Sequence, residues 1–230
     1  MVGEWRLYAF DFDGTLVDSY SCLPEVWRRV GEHLGLKGEA LELFVEYALR
    51  EEDLGDARGE HDIGKWIRAV LDELELDLNF NAEAMAILYW EYRIRGTRVL
   101  PCAREVLEEL KRRGCVVASV SGSDGIKSLK RRRITRSGLI VYFDDVIVAG
   151  EDVEGKGEAL ILLAEKYGYS RENCVFIDDK PGPINDVYGK GFPTVKIEFE
   201  CILKKAWEEE CNPTLKLGSI CELLTLINQI

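Results

Sequence analysis

The chain has 230 residues, 47% of them hydrophobic and 31% charged, and a formal net charge of −12. That length suits one large domain, or a domain carrying an insertion, with enough apolar material for a sizeable core. The acidic balance argues against a nucleic-acid binder and against an acidic-membrane binder, because both need an attractive field toward phosphate. A small phosphorylated metabolite stays open as a partner, since a few local cations or a metal can recruit one. Whether the chain is a monomer or a homodimer is undecided at this level.

Seven cysteines (Cys22, Cys102, Cys115, Cys174, Cys201, Cys211 and Cys221) are scattered and never form C-x-x-C. Neither a zinc site nor a disulfide framework is expected from them, and a reducing cytoplasm fits. Met1 to Phe10 shows no basic stretch followed by a long apolar one. No segment approaches the roughly 20 apolar residues of a membrane span, so a soluble, cytoplasmic protein is expected.

In chain order, the apolar run from Arg6 to Phe10 reads as a strand ending at Asp11. Pro24 then opens a helical pattern through Leu34, and further helical stretches follow near 39–50, 62–76 and 81–95. Their stripes include Leu41, Phe44, Val45 and Ala48, then Trp66, Ile67, Val70 and Leu71, and read as helix-bundle core. After residue 99 the pattern changes. A helix to Arg113 is stopped by Gly114, and Cys115–Val120 reads as a buried strand. A basic helix is expected near 125–134, strands at 145–149, 174–177 and 194–197, a helix at 157–167, an edge strand at 215–217 and a last helix at 219–228. Strands alternating with helices predict an α/β fold, a doubly wound parallel sheet with a Rossmann-like core. Residues 1–18 and 99–230 would form that α/β core, and 19–98 an all-helical cap inserted into it.

Ligands of such sheets bind at the carboxyl ends of the strands. The first strand ends in Asp11-Phe12-Asp13-Gly14-Thr15, two carboxylates followed by a glycine that lets the backbone turn. The second ends in Ser121-Gly122-Ser123, where a hydroxyl and free N–H groups ahead of a helix would cradle phosphate. Lys156 follows the third strand, a compact charge suited to a phosphoryl group. The fourth strand ends in Asp178-Asp179, adjacent acids that repel unless a cation or proton lies between them. Oxygen donors of this kind suit Mg²⁺.

Taken together, Asp11-Phe12-Asp13-Gly14-Thr15, Ser121, Lys156 and Asp178-Asp179, in that order, resemble the haloacid dehalogenase-like hydrolase superfamily, with the helical insertion standing where that family carries a cap. The resemblance implies a Mg²⁺-dependent phosphatase with Asp11 as nucleophile and Asp13 as acid and base. It implies that Ser121 and the Gly122 N–H hold phosphoryl oxygens, that Lys156 neutralises charge, and that Asp11, the Asp13 carbonyl and Asp179 hold the metal. Two positions depart from the family: Pro183 stands where an acid or Asn is frequent, with Asp186 a substitute only if the loop bends differently, and Asp178 stands where many members have Gly, as a second acidic metal ligand or an outer-shell partner.

Asp13 disfavours a dehalogenase, since those members lack the second aspartate of the first motif. Leu23 stands where sugar-phosphate mutases carry a cap histidine, which makes a mutase the second reading and a non-catalytic binding protein the third. The run Lys130-Arg131-Arg132-Arg133 is expected to be a solvated helix face. Residues 20–98 hold 17 Asp/Glu against 10 Lys/Arg, so the cap does not attract phosphate generally. Arg50, Arg58, His61 and Lys65 could line a cleft there, but surface pairing is the favoured expectation.

Overall fold

Residues 5–229 are described in a computed structural model. Met1–Glu4, part of the segment searched above for a leader, lie outside the described residues. The strands are β1 (Leu7–Phe10), β2 (Val17–Asp18), β3 (Arg98–Val99), β4 (Val116–Gly122), β5 (Asp145–Ala149), β6 (Cys174–Asp178), β7 (Thr194–Ile197) and β8 (Leu215–Leu217). The helices are α1 (Leu23–His33), α2 (Gly38–Ala57), α3 (Ile63–Glu73), α4 (Ala82–Gly96), α5 (Ala103–Arg112), α6 (Leu129–Ser137), α7 (Lys156–Tyr167), α8 (Pro181–Gly189) and α9 (Ile220–Asn228).

Six strands form one parallel sheet in the order β5-β4-β1-β6-β7-β8, as the α/β reading expects. Strands buried on both faces read as continuous apolar runs, and here each face has its own helical layer. Leu7, Ala9, Ala118, Val120 and Phe176 pack with Ala159, Leu160 and Leu163 of α7 and Ile184 and Val187 of α8. The alternate residues Tyr8, Phe10, Val117, Val175 and Ile177 pack with Val106, Leu107 and Leu110 of α5 and with Ile220, Leu223 and Ile227 of α9. From β1 the chain moves outward to β4 and β5, then returns to the other side of β1 and runs outward again through β6, β7 and β8. That reversal puts the ligand crevice at the carboxyl ends of β1 and β6.

The chain divides into two compact units. One holds the described residues up to Asp18, Arg98–Glu200 and those from Trp207 on. The other holds Ser19–Thr97 together with Cys201–Ala206. In this second unit α1 to α4 bury Trp27, Phe44, Ile67, Val70, Leu71 and Tyr89. Asp62 and Asn81 cap α3 and α4, each side chain accepting an N–H at 3.0 Å.

Three differences from the sequence expectations are instructive. Helix α8 was not expected from a segment with Pro181, Gly182 and Pro183, yet a first turn tolerates proline because its N–H groups have no helical partner. Helix α6 starts at Leu129 rather than near 125, because Ser128 holds a left-handed backbone with φ 65°. The cysteines do supply a disulfide, Cys102–Cys221, which corrects the expectation of none. Its partners are 119 residues apart in sequence. They meet because α5 and α9 lie in the same layer, a proximity no local spacing reveals. Cys115 and Cys174 are buried free thiols, as their apolar runs predict. Among the described residues no helix is long and apolar enough to cross a membrane.

Candidate active site

Strand register assembles the acids. Phe10 pairs with Ile177, and the Asp11 N–H donates to the Ile177 carbonyl at 2.8 Å, so Asp11 and Asp178 stand side by side. Asp179 follows, and one carboxylate oxygen from each of the three buried residues lies within 4.8 Å of the others. Lys156, the first residue of α7, donates from Nζ to Asp11 Oδ1 and to Asp178 Oδ2, both at 2.7 Å. The Lys180 N–H donates to Asp178 Oδ1 at 2.8 Å.

Asp179 is gripped from both sides. Thr15 Oγ1 donates to its Oδ1 at 3.1 Å and Trp207 Nε1 to its Oδ2 at 2.9 Å. Gly14 has φ +80°, and a Cβ there would lie 2.3 Å from Asp179 Oδ2. The glycine of the first motif therefore serves both the turn and the close approach of the loop to this acid.

The electrostatics show a site short of positive charge. Burial pushes Asp178 up to about 6, with Lys156 pulling it down and Asp11 pushing it further up. Burial raises Asp179 well above the ordinary carboxylate value, and repulsion from Asp178 and Asp11 adds to it. Burial opposes the Lys156 charge, but Asp11 and Asp178 outweigh it and hold the ammonium above its ordinary value. Lys156 is shared by Asp11 and Asp178, Lys180 offsets the rise of Asp179 only in part, and desolvated carboxylates ionise together only when a further cation compensates them. An all-oxygen donor set with this deficit fits Mg²⁺.

Ser121 and Gly122 end β4, paired with Val148 and Ala149 of β5. Ser121 is buried with its Oγ 3.5 Å from Ser119 Oγ, and nothing stands within 4 Å of where a Gly122 Cβ would be, so that backbone is approachable. Asp186 is not in the acid cluster: its Oδ2 accepts the Gly157 N–H at 2.8 Å, at the start of α7. Pro183 lies in the first turn of α8. Asp178 is thus the acid that stands with Asp11 and Asp179.

Asp13 is tied into a second cluster, and here the expectation of a solvated basic helix face is corrected. Lys130 and Arg133 are only 5% and 3% exposed. Lys130 Nζ donates to Asp13 Oδ2, and Arg133 donates from Nη1 to Oδ2 at 3.0 Å and from Nη2 to Oδ1. Asp124 completes the group, its Oδ1 lying 2.8 Å from both Lys130 Nζ and Arg133 Nη1. Burial pushes the Asp124 carboxyl up, but Arg133 and Lys130 outweigh it and hold it below its ordinary value. Residues three apart share a helix face, so the spacing of Lys130 and Arg133 places both on one side of α6 without saying which way that side turns. Arg131 faces the other way and pairs with Asp152. No sequence spacing ties Trp207 to Asp179.

In the helical unit Arg50 pairs with Glu73, and Arg58 and Lys65 both pair with Glu60, at 3.4 and 3.3 Å. These are exposed surface pairs. His61 stands edge-on to Trp66, ring centroids 6.5 Å apart.

Residues 5–182 match the family described as hydrolase, haloacid dehalogenase-like hydrolase. Hexitol phosphatase A of Escherichia coli (strain K12) is 28% identical over 181 residues, covering 77% of this chain and 76% of that protein. Phosphoglycolate phosphatase of Shigella boydii is 25% identical over 211 residues, covering 84% and 81%. A solved HAD-hydrolase from Bacillus subtilis, bound to magnesium, shares the fold with a TM-score of 0.74 at 17% identity, covering 98% of this chain and 99% of that one.

Proposed function

The chain belongs to the haloacid dehalogenase-like hydrolase family, and we propose that it is a Mg²⁺-dependent phosphatase that hydrolyses a small phosphate monoester through a phospho-aspartate on Asp11. The observation that carries this reading is the buried Asp11–Asp178–Asp179 cluster with Lys156 Nζ 2.7 Å from Asp11.

Asp11 attacks phosphorus, the bond to the leaving oxygen breaks, and Asp13 protonates that oxygen. Asp13 then takes a proton from water, which attacks the phospho-aspartate and releases inorganic phosphate. Lys156 holds the Asp11 carboxylate through Oδ1 and lowers the cost of bringing an anion to an anion. Ser121 Oγ and the Gly122 N–H receive the equatorial oxygens as charge spreads over them. Asp11, the Asp13 carbonyl and Asp179 would hold Mg²⁺, with Asp178 beside them, and the ion would supply the positive charge the acids lack. Residues 1–18 and 99–230 are the catalytic core in this reading and 19–98 the cap that selects the substrate. We place the enzyme in the cytoplasm, where a disulfide such as Cys102–Cys221 is uncommon.

The test is phosphate release from an aryl phosphate and a panel of sugar, nucleotide and glycolate phosphates, with and without Mg²⁺. Release that needs Mg²⁺ and vanishes in Asp11→Asn is the expected result. Isomerisation of a hexose 1-phosphate without free phosphate would replace hydrolysis by a mutase. Inactivity across the panel would replace it by a binding role.

A further inference from the structure

The basic helix α6 has no place in the chemistry above, yet its buried side chains converge on that chemistry. Lys130 and Arg133 between them engage both carboxylate oxygens of Asp13. Arg133 also lies over the Phe12 ring, 5.6 Å from its centroid. One guanidinium thus spans two consecutive residues of the loop that carries the nucleophile. Asp124 contacts both cations at 2.8 Å, so in these contacts among the described residues two acids face two bases.

Such a group is a poor device for stability. Four buried charges lose their hydration, and apolar side chains of similar volume would do as well or better. It is a good device for geometry. An aspartate at a strand end turns about two torsions, and a planar guanidinium fork holds a carboxylate in one orientation where a single ammonium does not. Arg131 and Arg132 show the contrast. They lie between Lys130 and Arg133 on the same helix, and Arg131 spends its charge on Glu151 and Asp152.

We propose that Lys130 and Arg133 are positioning residues that hold the Asp13 carboxylate, once it has given its proton to the leaving oxygen, in the orientation from which it takes a proton from the attacking water, with Asp124 balancing their charge. The inference rests on the phosphatase reading for the role of Asp13. The positioning itself is a property of the fold that can be seen without turnover. The two cations touch neither substrate nor the phosphoryl group in this account. Their effect passes through Asp13.

The experiment is a double-mutant cycle with steady-state kinetics on an aryl and an alkyl phosphate, using Arg133→Met, Arg133→Lys, Lys130→Met, Asp13→Asn and Asp13→Asn/Arg133→Met. Misplacing a reacting group by about 1 Å costs up to roughly 100-fold in rate. Arg133→Met should therefore lower kcat by about 10- to 100-fold with KM nearly unchanged, and Arg133→Lys should recover part of the loss. The double variant should equal Asp13→Asn alone, because nothing is left to position. A crystal structure of Arg133→Met should show the Asp13 side chain turned. An additive loss in the double variant, a loss carried by KM, or an unmoved Asp13 in the Arg133→Met crystal structure would each overturn the proposal. Should Arg133→Met not fold, Arg133→Lys keeps the buried charge and removes only the fork, and a smaller kcat loss with a turned Asp13 is expected of it. A wild type without phosphatase activity would sink the functional reading instead, and the Asp13 orientation in Arg133→Met would still decide the positioning.

Discussion

Two buried ionic groups, one in each unit, differ in a way that separates structure from function. In the helical unit Glu52 is fully buried, with Oε2 accepting Trp27 Nε1 at 2.6 Å and Oε1 accepting the Tyr89 hydroxyl at 2.6 Å and Arg93 Nη1 at 2.8 Å. Burial raises the Glu52 pKa, while Arg93, Tyr89 and Trp27 pull it back. Arg93 pairs directly with Glu52, and both carboxylate oxygens have protein donors. In the α/β unit Lys156 bridges Asp11 and Asp178, burial and Asp11 raise Asp178, and burial, Asp178 and Asp11 raise Asp179. The first group is closed by its own side chains. The second is left asking for a cation. Charge imbalance in a buried cluster, rather than burial or charge alone, marks a candidate cation site.

The comparison can be broken at several points. Asp11→Asn should remove turnover by a factor on the order of 10⁴ to 10⁶, the range seen when a covalent nucleophile is lost, with the fold intact by thermal melt. Glu52→Gln should lower stability by about 3–5 kcal/mol in urea unfolding, because it breaks a buried ion pair to Arg93. A variant of Glu52 that unfolds no more easily than wild type would show that the helical group is not the closed pair described.

Asp179→Asn should act with the opposite sign. In metal-free protein at neutral pH it should melt higher than wild type, since one of three repelling acids is gone and an amide can still meet the Thr15 hydroxyl and the Trp207 N–H. The pH dependence follows from the same imbalance. Asp178 is raised from 3.8 to about 6 in the fold, so between those values the native state holds more protons than the unfolded chain. The contribution is fully present below about 4 and is lost as pH rises through about 6. In a chelator, wild type should therefore lose melting temperature from pH 5 to 7 more steeply than Asp178→Asn, and Mg²⁺ should restore most of it at pH 7. The smallest effect expected is that of Trp207→Phe, which frees one oxygen of Asp179. Loss of a group that orients a ligand weakens metal binding by roughly 10-fold. Isothermal titration calorimetry with Mg²⁺ reads that binding directly and should show the weaker affinity in the variant.

The legible part of the molecule was the part written in short-range periodicity. Runs such as Val116–Val120 and Val175–Ile177 announced strands, and their ends pointed to Asp11, Ser121, Lys156 and Asp178-Asp179. The helical stripes around Trp66 and Ile67 announced a bundle. What stayed hidden were partners. Cys102 and Cys221 meet across 119 residues of sequence. Lys130 and Arg133 looked like solvent-facing charge, since a hydrophilic run does not say which of its faces has an acid waiting beneath it. Trp207 reaches Asp179 from 28 residues away in a segment with no regular pattern. Helix α8 was masked by prolines that only its first turn could accept.

The most direct measurement is rapid acid quench of the enzyme with Mg²⁺ and substrate during turnover, followed by reduction with tritiated borohydride and peptide mapping. The account predicts one labelled residue, Asp11, converted to homoserine by the reduction, and no label in Asp11→Asn. Turnover with no covalent phosphoenzyme, or with the label on any other residue, would contradict it.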